Sequence, residues 1–179
     1  MNSKTMLGVL VSAIAIFMFG ALYWGVNPLP YQDLLTVADE ATAQAQMKEM
    51  FPENGTYFVP DLNQPPEALE AAYTRGPTGF FYIDHDAPVP GDPSMFIGGF
   101  VLDLLTTLVL ALLLANSRGM SAHLKMGALA GIAAVLVTDL ADVIWWNMSL
   151  DWKIHQSVYH FLMFLIGAAV LSPFMPKEE

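Results

Sequence analysis

The chain has 179 residues, of which 55% are hydrophobic and 13% charged, with a mean hydropathy of +0.47 and a formal net charge of −10. Charged side chains stand at about half the ~25% usual for soluble domains, which is a membrane composition. The lack of cysteine excludes disulfides, thiolate metal sites and cysteine nucleophiles, and the negative balance argues against nucleic acid as a partner, since phosphate contacts need clustered Lys and Arg.

Four apolar runs, at 6–24, 95–115, 126–146 and 158–174, are each close to the roughly 20 residues that one helix needs to cross a bilayer. The expected fold is a membrane all-α bundle of four transmembrane helices with a small α+β extracytoplasmic cap between the first and second. Residues 1–25 are expected to form the first helix, 26–94 the cap and 95–176 helices two to four.

The first run follows a single Lys4 and is longer than the ~7–15 apolar residues of a signal peptide. Its only small-x-small site, Ala13-Ile14-Ala15, lies inside the run, so it reads as an uncleaved signal anchor. Short cytoplasmic loops retain basic residues, and Lys4, Arg118, Lys125 and Lys177 all fall on one side of four alternating crossings. The opposite side receives 26–94, with 11 acidic residues against Lys48 and Arg75, and a short turn containing Asp151 and Lys153. This places both termini in the cytoplasm and the acidic segment outside, beyond the opposite face of the membrane.

Within the cap, residues 31–50 repeat apolar side chains at helical spacing (Leu34, Val37, Ala41, Ala45), with Asp33 in the expected first turn and Pro52 as the stop. The acidic polar face lacks the Lys and Arg of interfacial helices, which favours covering protein over lying on lipid. Asn54-Gly55 signals a turn, 56–59 a strand closed by Pro60, 65–75 a helix begun by Pro65-Pro66 and ended by Gly76-Pro77, and 78–83 a second strand. The Pro- and Asp-rich stretch 84–93 returns to the bilayer.

Three apolar runs carry ionisable groups. Asp103 lies eight residues inward from Met95 and Asp139 eight residues before Asn147, each a depth of about 12 Å; Asp142 is shallower and shares a helix face with Asp139, and His160, five residues after His155, lies about 7–8 Å in. Carboxylates in a spanning helix cost about 2.5–3.5 kcal/mol at its centre, so these are expected to face protein or water. They form a candidate proton or cation site, or else polar glue between helices. Neither metal nor haem is expected: no HxxxH or Glu-x-x-His pair occurs, His85 and His123 fall in connections, and His155 lies at the boundary about 140° around the helix from His160.

Tyr23, Trp24, Trp145, Trp146 and Trp152 gather at the outer ends of the runs, as headgroup-level anchors do. Gly127 and Gly131 open a small-residue stripe for close helix packing, within the chain or against another subunit. Asn54-Gly55-Thr56 and Asn147-Met148-Ser149 match the glycosylation sequon. No nucleophile, phosphate-loop or H-E-x-x-H pattern supports catalysis, and no cofactor is expected.

The segments Gly55-Thr56-Tyr57-Phe58-Val59-Pro60 and Arg75-Gly76-Pro77-Thr78-Gly79-Phe80, with four helices and a Trp-rich outer turn, resemble uncharacterised bacterial inner-membrane proteins with a small outer domain. The resemblance implies that architecture and location, and supplies no activity or site residue. The functional expectation is a non-catalytic accessory or scaffold subunit that packs against other membrane-protein subunits, such as those of an energy-transducing complex. The alternative is a small proton- or cation-coupled carrier using Asp103, Asp139, Asp142 and His160.

Overall fold

A computed structural model describes residues 1–176. Lys177, counted above among the inner basic residues, lies outside the described residues. In chain order the elements are α1 (Ser3–Gly25), α2 (Leu29–Gln32), α3 (Glu40–Met50), β1 (Gly55–Val59), α4 (Pro66–Arg75), β2 (Gly79–Ile83), α5 (Pro93–Leu114) and α6 (Gly119–Ala134). A π-helical stretch, Val135–Leu140, joins α6 to α7 (Ala141–Trp146), and α8 (Leu150–Leu171) ends in a 3-10 turn, Ser172–Phe174.

Among the described residues, four helical stretches are long and apolar enough to cross a membrane: Ser3–Gln32, Pro93–Leu114, Gly119–Trp146 and Leu150–Phe174. The chain divides into two compact units, one of Met1–Leu35 with the chain from Gly91 onward, the other of Thr36–Pro90.

In the helical unit α8 is central, packing against α6, α1 and α5, while α1 also packs on α5. The buried core collects Val9, Leu110, Ala111, Leu114, Ala168, Leu171 and Met175. Two hydroxyls tie helices together where apolar packing alone would not fix their register: Ser12 Oγ donates to the Gly167 carbonyl (2.9 Å), and Thr107 Oγ1 reaches the Val9 carbonyl (3.3 Å).

The small-residue stripe of α6 is used inside the chain. A Cβ added at Gly127 would lie 2.5 Å from Ala168 Cβ and 2.9 Å from the Phe164 carbonyl oxygen, and one at Gly131 would lie 3.1 Å from Phe161 Cα. The hydrogen atoms of these glycines are what let α6 and α8 approach so closely.

In the second unit β1 and β2 pair antiparallel, from Gly55 opposite Ile83 to Val59 opposite Gly79. Phe51 and Ala72 are buried, and the Phe51 ring packs on Tyr57 (4.8 Å between centroids) and Phe81 (4.9 Å). Asn54 serves its turn directly: its Oδ1 accepts from the His85 N–H (2.8 Å) and its Nδ2 donates to Asp84 (3.2 Å).

The single helix expected over 31–50 is two pieces. Asp39, not Asp33, begins the long one, because its carboxylate accepts from both the Thr42 N–H (3.0 Å) and the Thr42 hydroxyl (2.7 Å). An Asp-x-x-Thr cap of this kind starts the helix at Glu40, nine residues later than the expected start at residue 31. Leu34 and Val37, which supplied that periodicity, are exposed outside any helix.

These hydrogen bonds, the Thr42 N–H first, hold the Asp39 carboxyl below its ordinary pKa. A lowered pKa stabilises the folded cap above the ordinary carboxylate range, and that contribution is lost as pH falls through the lowered value. Asp39→Ala is therefore expected to fray the first turn of α3 at neutral pH as acid does in the native chain, visible as faster amide exchange at residues 40–43 with β1 and β2 unaffected.

Candidate functional site

Four ionisable side chains meet where the π-helical stretch packs on α8 and Asp142 of α7 reaches Lys153. Asp139 sits on the π-helical turn and is 1% exposed. Its Oδ2 accepts from His160 Nδ1 at 2.8 Å, so that ring nitrogen carries the proton, because a carboxylate only accepts. Its Oδ1 lies 3.8 Å from Lys153 Nζ and accepts no hydrogen bond. Lys153 Nζ donates instead to Asp142 Oδ2 at 2.6 Å. Lys153 is itself buried, whereas the Asp142 side chain is 31% exposed.

The helical irregularity has a local cause. Thr138 Oγ1 donates to the Ala134 carbonyl (2.8 Å), giving that oxygen a side-chain partner where the backbone ladder lengthens. The wider turn is a form often found at functional sites. It also separates the fates of Asp139 and Asp142: they do not form one buried row, and approach the same ammonium from different depths.

The remaining candidate, Asp103, is 8% exposed on α5 and does not join the cluster. Among the described residues no hydrogen bond or ion pair links it to Asp139, Asp142 or His160. Similar depth along separate helices did not mean a shared face.

Two boundaries move as well. Helix α8 begins at Leu150, so Asp151 and Lys153 belong to its first turn and His160 lies ten residues, about 15 Å, along it. α6 begins at Gly119, so His123 is not in a loop but is 1% exposed inside the helical unit. Its Nε2 faces the Ser117 carbonyl (3.2 Å), which only accepts; the proton therefore sits there, and Nδ1 accepts from the Ser172 hydroxyl (2.7 Å). His155, on another face of α8 from His160, pairs with Asp33 at 2.9 Å.

The aromatic anchors divide. Tyr23, Trp24 and Trp152 join Phe19, Tyr31 and Tyr159 in a cluster between α1 and α8, with ring centroids 5.0–6.5 Å apart. The Tyr23 hydroxyl donates to the His155 carbonyl (3.0 Å). Trp145 and Trp146 are 75% and 42% exposed on α7, as an anchor facing out of the protein would be.

Among the described residues no three His, Asp or Glu side chains converge as a divalent-metal site requires. What the quartet does provide is a buried carboxylate and a half-exposed one, answered by one ammonium and one imidazole N–H. No protein-family model, curated protein or solved structure matches the chain.

Proposed function

We propose that the chain is a non-catalytic, multi-pass protein of the bacterial inner membrane that serves as an accessory or scaffold subunit of a larger membrane assembly. The observation that carries this reading is the separately folded second unit. Within 36–90 it holds nine acidic residues against Lys48 and Arg75, has its own sheet and aromatic core, and is continuous at both ends with membrane-length helices. Such a unit offers a charged docking surface joined by the chain to membrane-length helices on either side. The basic residues Lys4, Arg118 and Lys125 support cytoplasmic termini and a periplasmic 26–94.

Extraction of the native membrane in mild detergent tests this. Stable co-migration of the chain with other membrane subunits is expected, and a lone homo-oligomer overturns it.

One observation favours a second reading, a small proton- or cation-coupled carrier: ionisable groups buried in a membrane-crossing bundle mark ion pathways by default, and Asp139 keeps an unbonded carboxylate oxygen. In reconstituted vesicles, Asp139→Asn and Asp103→Asn are expected to reduce proton or cation flux on this reading. Unchanged flux in both removes it.

A further inference from the structure

We propose that Asp139 and Asp142 form a monovalent-cation site whose resident occupant is the chain's own Lys153 ammonium, and that a small alkali cation or primary alkylammonium takes its place when that ammonium withdraws. This deepens the ion-coupling reading and does not depend on the accessory-subunit one.

The donor set is the first argument. Asp139 is 1% exposed, its Oδ2 is occupied by His160, and its Oδ1 accepts no hydrogen bond. An acceptor left unmade on a buried carboxylate is costly, so the position has capacity for a closer cation than an ammonium 3.8 Å away. Lys153 fits as a compact point charge, not as a directional ligand: of its three N–H donors, one makes a hydrogen bond, to Asp142 at 2.6 Å. A hard monovalent cation presents the same charge to the same oxygens, and those oxygens already hold a single positive charge.

The second argument is the route. Lys153 lies in the first turn of α8, and Asp142, its closer partner, has a side chain 31% exposed, as half-open as that of His160 at 32%. The flexible four-carbon stem lets the ammonium swing past Asp142 to the end of the helix while the stem stays on apolar surface. Asp139 cannot follow, being buried on the π-helical turn and held by His160. Withdrawal of one flexible side chain thus uncovers the site without moving a helix. The groups that face it are Asp142 from α7 and Lys153 and His160 from α8.

The full chain in detergent tests the proposal, at constant ionic strength with N-methyl-D-glucamine as the inert cation. In Lys153→Met, Na+ or K+ is expected to raise the thermal midpoint saturably, by about 3–6 °C at ten times the dissociation constant. Propylammonium is expected to do the same in Lys153→Ala, and Asp139→Asn in either background to abolish the response. A midpoint indifferent to these cations, or a response that survives Asp139→Asn, overturns the proposal.

Should neither Lys153 variant fold, the native chain decides: faster acylation of Lys153 by an amine reagent in Na+ or K+ supports displacement of its ammonium, and equal rates overturn it. Vesicle flux alongside an indifferent Lys153→Met would reject this site while keeping ion coupling.

Discussion

Gly127→Ala is expected to destabilise the helical unit by about 1–3 kcal/mol, the range for forcing an extra carbon into a packed interior. The new methyl would lie 2.5 Å from Ala168 Cβ and 2.9 Å from the Phe164 carbonyl oxygen. Neither neighbour can rotate away, since one is a methyl fixed to the backbone and the other is backbone itself. Relief requires α6 and α8 to separate, which also loosens Gly131 against Phe161 one turn further along. Gly127→Leu is expected to cost more, because its longer side chain meets the same wall.

Gly98 on α5 is the control, because no atom stands within 4 Å of a Cβ built there. Gly98→Ala is expected to be neutral or to gain up to about 1 kcal/mol from helix propensity. The comparison is read as unfolding midpoints in detergent for the two single variants. Equal behaviour would mean that the α6–α8 contact is not as close as the geometry has it.

That contact was half visible in the sequence. Gly127-x-x-x-Gly131 announced a close approach, but a stripe of small residues carries no address, and the partner surface on α8 is itself unremarkable in composition. The apolar runs located four helices because burial in lipid or protein both demand uninterrupted hydrophobic length. They failed at helix ends, where polar residues continue a helix that hydropathy has already closed.

Lys153 shows the consequence. Asp151, Lys153 and His155 push the apparent start of the fourth run to Val158, so the ammonium that answers Asp139 and Asp142 reads as part of a turn. The signal was nevertheless present. Residues 153, 157, 160, 164, 167 and 171 follow steps of three and four, one continuous face of α8. Read that way, Lys153 and His160 point together into the structure with Phe164 and Leu171.

Asp103 erred in the opposite sense. Depth follows from the rise per residue, but which helix face meets which neighbour depends on packing order, and the order in space here is not that of the chain. The late start of α3 has a third cause: a side-chain cap at Asp39 outweighs a weak apolar period whose members, Leu34 and Val37, are left about half exposed.

Asp139→Ala is expected to have the largest effect of any single change, about 3–5 kcal/mol, because removing one member of a buried ion pair strands its partners. His160 Nδ1 loses its only acceptor in the cluster, and Lys153 keeps Asp142 alone, at the exposed edge. Lys153→Met leaves the complementary fault, two carboxylates with only an imidazole N–H between them. If these groups act as one unit, the double variant Asp139→Asn with Lys153→Met is expected to be more stable than the sum of its parts, since it removes opposite charges together. Denaturant unfolding of the native chain, both singles and the double closes the cycle, and a positive coupling of about 1 kcal/mol or more is expected for groups in contact. Strict additivity would mean that the buried ion pair contributes nothing to holding α8 against the π-helical turn.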